Sequence, residues 1–218
     1  MTDPSIRHFS SAAINELEKQ TRTNLINCLA GYKGANLVGT TDGKRDNLAI
    51  ISSVFHVGAH PPLQGMLLRP HTVPRQTLEN IRETGVYTIN AVSAGWTDKA
   101  HQTSARYDEH TSEFDATGLT PLKEDGFAAP FVAQSPLRMA MAAEEISTLQ
   151  CNQTVLVIGR VLDIYVMEGA TGEDGQLDLE KMNLACISGL DTYHRAERIA
   201  RYAYAKPDKP VTLAGKNA

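Results

Sequence analysis

Four shortages in this sequence each close a class of function. Cysteine is scarce: Cys28, Cys151 and Cys186 are widely spaced, and no two form a C-x-x-C pair. A zinc ribbon or a dithiol redox centre therefore has no basis, and idle or buried thiols in a reducing cytoplasm account for all three. No two glycines are separated by a single residue, which excludes the G-x-G-x-x-G fingerprint of dinucleotide-binding folds. No G-x-S-x-G is present either, so serine-based hydrolysis has no nucleophile elbow. The segment Gly39–Arg45 imitates a phosphate-binding P-loop, but its glycines are one residue too close and Arg45 stands where Ser or Thr should hold magnesium. It reads instead as a hairpin turn centred on Asp42-Gly43.

Positive charge is not in surplus. The formal net charge is −4 and the pI about 6.0, which argues against a general nucleic-acid binder. No apolar run approaches the roughly 20 residues needed to span a bilayer. No charged leader followed by an apolar core opens the chain, so we expect a cytoplasmic protein without membrane attachment. His56 and His60 are four apart, but Gly58 and Pro61 argue against a helix there. With no carboxylate or Cys close by, we expect no metal site.

What remains is a 218-residue chain with 42% hydrophobic residues, enough for one sizeable core and hence one domain over residues 1–218. Residues 11–30 place Ile14, Leu17, Leu25, Cys28 and Leu29 near helical spacing, and Gly31 supplies a stop. Short β-like runs follow at 36–41, 47–57, 63–68 and 86–92, punctuated by Asp42-Gly43, Pro61-Pro62 and Gly85. In the last run Tyr87, Ile89 and Ala91 alternate with Thr88 and Asn90. That predicts one face in the core and one open to ligand or water. Residues 77–84 read as a short helix ended by Gly85, and 98–117 as a polar segment with helical stretches broken at Gly118. Two long strands are expected at 135–147 and 154–166, then a loop at 169–178. The tail, from about 188 to 218, is expected to hold a turn, a short helix and an irregular end. Strands dominate and helices are peripheral, so the expected fold is mainly β, a barrel with helical decoration.

The stretch Met66–Ile81, MLLRPHTVPRQTLENI, carries the chemistry. An apolar strand stops at Arg69-Pro70, and Arg69, Thr72, Arg75 and Thr77 fall within nine residues before a helix. Guanidinium groups and hydroxyls beside unpaired helix N–H groups suit a dianion, and Pro70 and Pro74 stiffen the loop that would grip it. On residue types alone, a solvated surface loop is the more ordinary reading.

The surrounding order changes that balance. Thr40-Thr41, Asn47, Ser52-Ser53, Pro61-Pro62, Leu67-Leu68-Arg69, Thr77 with Ile81, and Tyr87–Asn90 follow one another along the chain. This set resembles the flavin reductase-like FMN-binding split-barrel family, over about residues 35–166 and more loosely the flanking helix and tail. The resemblance implies an FMN-binding split β-barrel with peripheral helices, with FMN held between barrel and loops, commonly at a homodimer interface. Asn47, Ser52 and Ser53 would line the isoalloxazine and ribityl region. Arg69, Thr72 and Thr77, with Arg75, would hold the phosphate. His101, Thr103 and Ser104 would close over the cofactor, although a capped surface helix explains those three equally well. Tyr193 and His194, in GLDTYHRA, are similar to the family's Gly/Tyr segment and become substrate-side candidates, with a packing Tyr as an equal reading. One departure stands out: where many relatives carry Gly-Asp-His before the final barrel strand, this chain has Asn152-Gln153, which bears on pyridine-nucleotide use.

The implied activity is FMN-dependent oxidoreduction of flavin reductase type, with NADH or NADPH as donor and flavin or another acceptor as recipient. No acid or base is needed for hydride transfer to the flavin, so no catalytic side chain is expected. The competing expectation is a flavoredoxin-like electron carrier with no NAD(P)H turnover of its own. A third is a split barrel that has lost flavin and binds another phosphorylated ligand.

Overall fold

The computed structural model describes residues 6–73, 75–108 and 110–214. Pro74, expected to stiffen the loop, and the last residues of the tail lie outside them. Two helices, α1 (Ser11–Glu16) and α2 (Lys19–Cys28), replace the single expected helix over 11–30. Glu18 divides them, because its carboxylate accepts from the amides of Gln20 and Thr21 and so caps α2. A short strand, β1 (Lys33–Gly34), precedes the hairpin of β2 (Asn36–Thr41) and β3 (Asp46–Ile51). Its turn is the expected one: Asp42 Oδ1 accepts from the amides of Lys44 and Arg45, and Gly43 takes a φ of 82°.

A second hairpin pairs β4 (Val54–Ala59) with β5 (Pro62–Leu68). The run expected at 47–57 is thus two strands, broken at Ser52-Ser53, and His56 sits on exposed β4 rather than on a helix. Next come α3 (Gln76–Thr84), closed by left-handed Gly85, and β6 (Val86–Ala91). The polar segment holds α4 (Thr97–Gln102) and α5 (Glu113–Thr117), followed by the small hairpin β7 (Pro121–Glu124) and β8 (Phe127–Val132). The two long strands are β9 (Leu137–Thr148) and β10 (Val155–Val166). In place of a helix, the tail forms β11 (Ala185–Ser188) and β12 (Thr192–Arg195); β11 pairs with β12 on one side and with β1 on the other. Tyr193 and Ile187 stand opposite one another in that pair, and β-favouring residues there outweigh any helical tendency.

The main sheet has seven antiparallel strands in the order β3-β2-β6-β9-β10-β5-β4. Successive residues of β2 enter different cores. Val38 joins Met66, Leu78, Ile81, Tyr87, Ile89 and Met141, whereas Leu37 joins Leu48, Val92, Phe114 and Val132.

Thr88 and Asn90 correct the expectation of a half-open strand, because both are fully buried. The Thr88 hydroxyl donates to Pro130 O at 2.6 Å. Asn90 Nδ2 donates to Leu37 O, and its Oδ1 accepts from Val132 N at 2.9 Å. These bonds clamp β8 across β2 and β6, and Gly39 lets the strands meet, since a Cβ there would collide with Pro130 O and Thr88 Oγ1. The polar face therefore bonds to protein instead of ligand. Among the described residues, no helix is long and apolar enough to cross a membrane.

Candidate functional site

A cleft of about 750 Å³ runs along β3, the Ser52-Ser53 link, the end of β5, the first turn of α3 and the segment from His101 to Glu113. Its floor follows from sheet order. β3 is a terminal strand, so its outer rim has no neighbouring strand. Part of that rim is closed by α5: the Ser112 hydroxyl donates to Asp46 O at 2.8 Å, and Leu48 N donates to Glu113 Oε2 at 3.0 Å. Backbone groups on one edge recur every second residue, so Ile50 presents the next rung, and it opens into the cleft with Ser52 and Ser53. Burial pushes the Glu113 carboxyl above its ordinary range, against the lowering effect of the Leu48 amide.

The first turn of α3 forms one end. Its N-cap is Arg75, which supplies no side-chain cap; Leu78 N donates to Arg75 O at 3.0 Å, so the donors the helix start offers a ligand are the Gln76 and Thr77 amides. Arg75 Nε donates to Pro70 O at 3.2 Å and braces the loop. Arg69 is exposed and makes no side-chain hydrogen bond or ion pair among the described residues. Thr77 is buried and accepts from Asn47 Nδ2 at 3.0 Å, which ties the helix start to β3. Asn47 Nδ2 and Asn80 Nδ2 both donate to Thr40 Oγ1, at 3.2 and 3.1 Å. This network fixes the distance between the strand rim and the cationic loop.

The opposite wall comes from α4 and the segment after it. Thr103 is buried, its hydroxyl donating to Ala100 O at 2.8 Å, and Ser104 and His101 are exposed beside it. Tyr193 hydrogen-bonds His101 Nδ1 at 3.2 Å, edge-on to its ring. Burial pushes the Tyr193 hydroxyl up to about 12, with the Asp191 charge adding, so it stays neutral at ordinary pH.

The structure therefore brings nine of the ten expected cofactor residues to one cleft: Asn47, Ser52, Ser53, Arg69, Arg75, Thr77, His101, Thr103 and Ser104. Thr72 is off the wall, in a tight turn where its amide donates to Pro70 O. Tyr193 reaches the cleft only through His101, and His194 bonds the Ser188 hydroxyl at 2.8 Å and stacks edge-on against Tyr32. Sequence reading missed Arg45, Arg106 and Glu113, all on the cleft wall. The hairpin turn gave a usable signal for Arg45, since it places that residue at a strand tip. Glu113 had none, because its partner on β3 is 65 residues away.

A family model described as "Flavin reductase like domain" matches residues 31–183. The chain belongs to this family. A solved structure from Shewanella frigidimarina NCIMB 400, assigned as a flavin reductase with split barrel domain, is 49% identical. Its TM-score is 0.88, and the match covers 91% of this chain and 100% of that one. Nitrilotriacetate monooxygenase component B from Bacillus cereus shares the fold at 20% identity and TM-score 0.78, over 90% of this chain and 98% of that one. Flavoredoxin of Desulfovibrio vulgaris (Miyazaki F) does so at 23% identity and TM-score 0.66, over 82% and 92%. The fold of this flavin reductase-like chain is thus the split barrel, mainly β. The cleft's donor set fits a flavin nucleotide: an uncapped helix start and a free guanidinium for a phosphate, with an open strand rim beside Ile50, Ile51 and Leu67 for a flat polar-edged ring.

Proposed function

We propose that this chain is an FMN-dependent oxidoreductase of flavin reductase type, passing electrons from NADH or NADPH to flavin or another acceptor. The observation that carries the reading is the uncapped start of α3, held beside the open β3 rim by the Thr77–Asn47 hydrogen bond, with unpaired Arg69 at the same cleft. A terminal dianion suits that cluster, which favours FMN. Bound FMN supplies the hydride-accepting chemistry. The chain's own residues position and enclose. Arg69, Arg75 and Thr77 hold the phosphate end, whereas Asn47, Ser52 and Ser53 line the ring and ribityl region. His101, Thr103 and Ser104 form the second wall, with Tyr193 fixing the His101 ring from behind.

The whole chain works as one split-barrel domain in this reading, and as a homodimer. Exposed Phe55 and Val57 on β4 and Leu162 and Ile164 on β10 provide apolar surface for a second copy. Asn152-Gln153 lies in the turn just before Thr154, which lines the cleft, and its departure from the family's Gly-Asp-His favours the electron carrier as second reading. One experiment separates the two. The purified protein, loaded with FMN, is mixed without air with NADH or NADPH while the flavin's visible absorbance is followed. Rapid bleaching supports the reductase, a slow response the carrier, and a preparation that takes up no FMN refutes both.

A further inference from the structure

We propose that Arg45 and Arg106 form a second anion subsite in the cleft, one that selects a co-substrate carrying a phosphate monoester. The proposal rests on the flavin reading above. It comes from the state of every charge on the cleft wall. Its four carboxylates are committed. Asp42 accepts from two turn amides, and Asp46 pairs with Lys123 at 2.5 Å. Asp108 accepts from His110 N and the Thr111 hydroxyl, and Glu113 accepts from Leu48 N.

The cations on that wall make no ion pair among the described residues, although the charge of Asp42 reaches Arg45 across the hairpin turn. Lys33 Nζ and Arg75 Nε reach only backbone carbonyls, those of Gly189 and Pro70. Arg45, Arg69 and Arg106 make no side-chain hydrogen bond or ion pair among the described residues. Guanidinium groups gathered at one cleft repel each other, and the chain as a whole carries 25 acidic residues against 21 basic ones. Such a local excess is explained when the anions come with the ligands.

One phosphate monoester brings about −1.5 to −2 charges at pH 7. Arg69, Arg75 and the start of α3 lie on one loop and match the cofactor's own phosphate. Arg45 and Arg106 stand off that loop, at the tip of the β2–β3 hairpin and on the segment after α4. The Ser112–Asp46 hydrogen bond ties the segment that follows Arg106 to the strand that follows Arg45, and both arginines line the same cleft. Two guanidinium forks are the geometry that grips a second dianion. The ligand chemistry is a phosphate monoester, available from two sources: the 2′-phosphate of NADPH or the 5′-phosphate of a flavin acceptor.

The test uses the full-length, FMN-loaded protein and its Arg45→Ala, Arg106→Ala and double variants. Calorimetric titration with NADP⁺ and NAD⁺ reads the donor side. Fluorescence titration with FMN and riboflavin reads the resident site, and turnover with FMN or riboflavin as acceptor reads the other source. The parent protein is expected to bind NADP⁺ about tenfold or more tightly than NAD⁺, and the double variant to lose that margin. NAD⁺ binding and resident FMN binding should stay within about twofold of the parent. A missing nucleotide margin, combined with a loss of the FMN-over-riboflavin acceptor margin in the variants, keeps the subsite and assigns it to the flavin acceptor. Unchanged margins of both kinds overturn the proposal. So does weaker resident FMN against unchanged riboflavin, because the two arginines would then belong with Arg69. A parent protein that takes up no flavin sinks the flavin reading instead. Titration with 2′-AMP then still reports the subsite, through its loss in the double variant or its refutation by equal binding.

Discussion

Replacing Arg69 by Ala isolates the phosphate end of the cleft. Arg69 is exposed and unpaired, so truncation leaves no buried orphan and should not disturb the fold. A hydrogen bond to a charged group contributes about 1.5–3 kcal/mol, and exposure puts Arg69 near the low end. A loss of about 1.5 kcal/mol weakens FMN roughly tenfold. The start of α3 keeps its own contribution of about 0.3–1 kcal/mol, so binding should be reduced and not abolished. Riboflavin lacks the phosphate and should shift by no more than about twofold. A second axis comes from pH. The phosphate loses its second charge as pH falls through about 6, so the parent's preference for FMN over riboflavin should narrow there, and less so in the Arg69→Ala variant. Quenching of flavin fluorescence, titrated for both ligands at two pH values, measures all of this. Equal weakening of FMN and riboflavin would refute the reasoning and remove Arg69 from the phosphate.

Two further outcomes are expected. Gly159→Ala should destabilise by about 1–3 kcal/mol in urea unfolding, because a Cβ there meets the ring and hydroxyl of buried Tyr87. Adding Tyr87→Phe should recover part of the loss by removing the nearest atom, and no recovery would show that the remaining ring carbon or the Ala142 carbonyl, not the hydroxyl, is the obstacle. Glu113 makes stability pH-dependent: burial raises its carboxyl above the ordinary 4.5, so between that value and the raised one the folded chain holds more protons than the unfolded chain. Stability from this group is present at low pH and is lost as pH rises through the window. Glu113→Gln should flatten that slope, and an unaltered slope would assign the effect elsewhere.

The parts of the site that could be read from the sequence are those defined by punctuation. Asp42-Gly43 fixes the hairpin that carries Asn47, and the Arg69–Thr77 loop is bounded by an apolar strand and a helix ended by Gly85. Spacing locates such segments because turn chemistry is local. What failed was long-range. Alternation in β6 told that Thr88 and Asn90 share a face, but not that β8, some forty residues later, would cover it. Thr72 lies in the expected loop but outside the cleft lining, in a tight local turn that spacing does not reveal. The second wall depends on α5 docking against β3, a contact no periodicity encodes. The tail shows the same limit, since β12 exists only by virtue of its partner β11.

The carboxylate of Glu113 does for β3 what another strand would otherwise do. An unguarded sheet margin invites the same margin of a neighbouring molecule to zip onto it. Here Glu113 shares the guard with Ser112, which holds the Asp46 carbonyl, so the residue that trims the cavity also helps to police self-association: losing it would leave the Leu48 amide free to recruit a stranger.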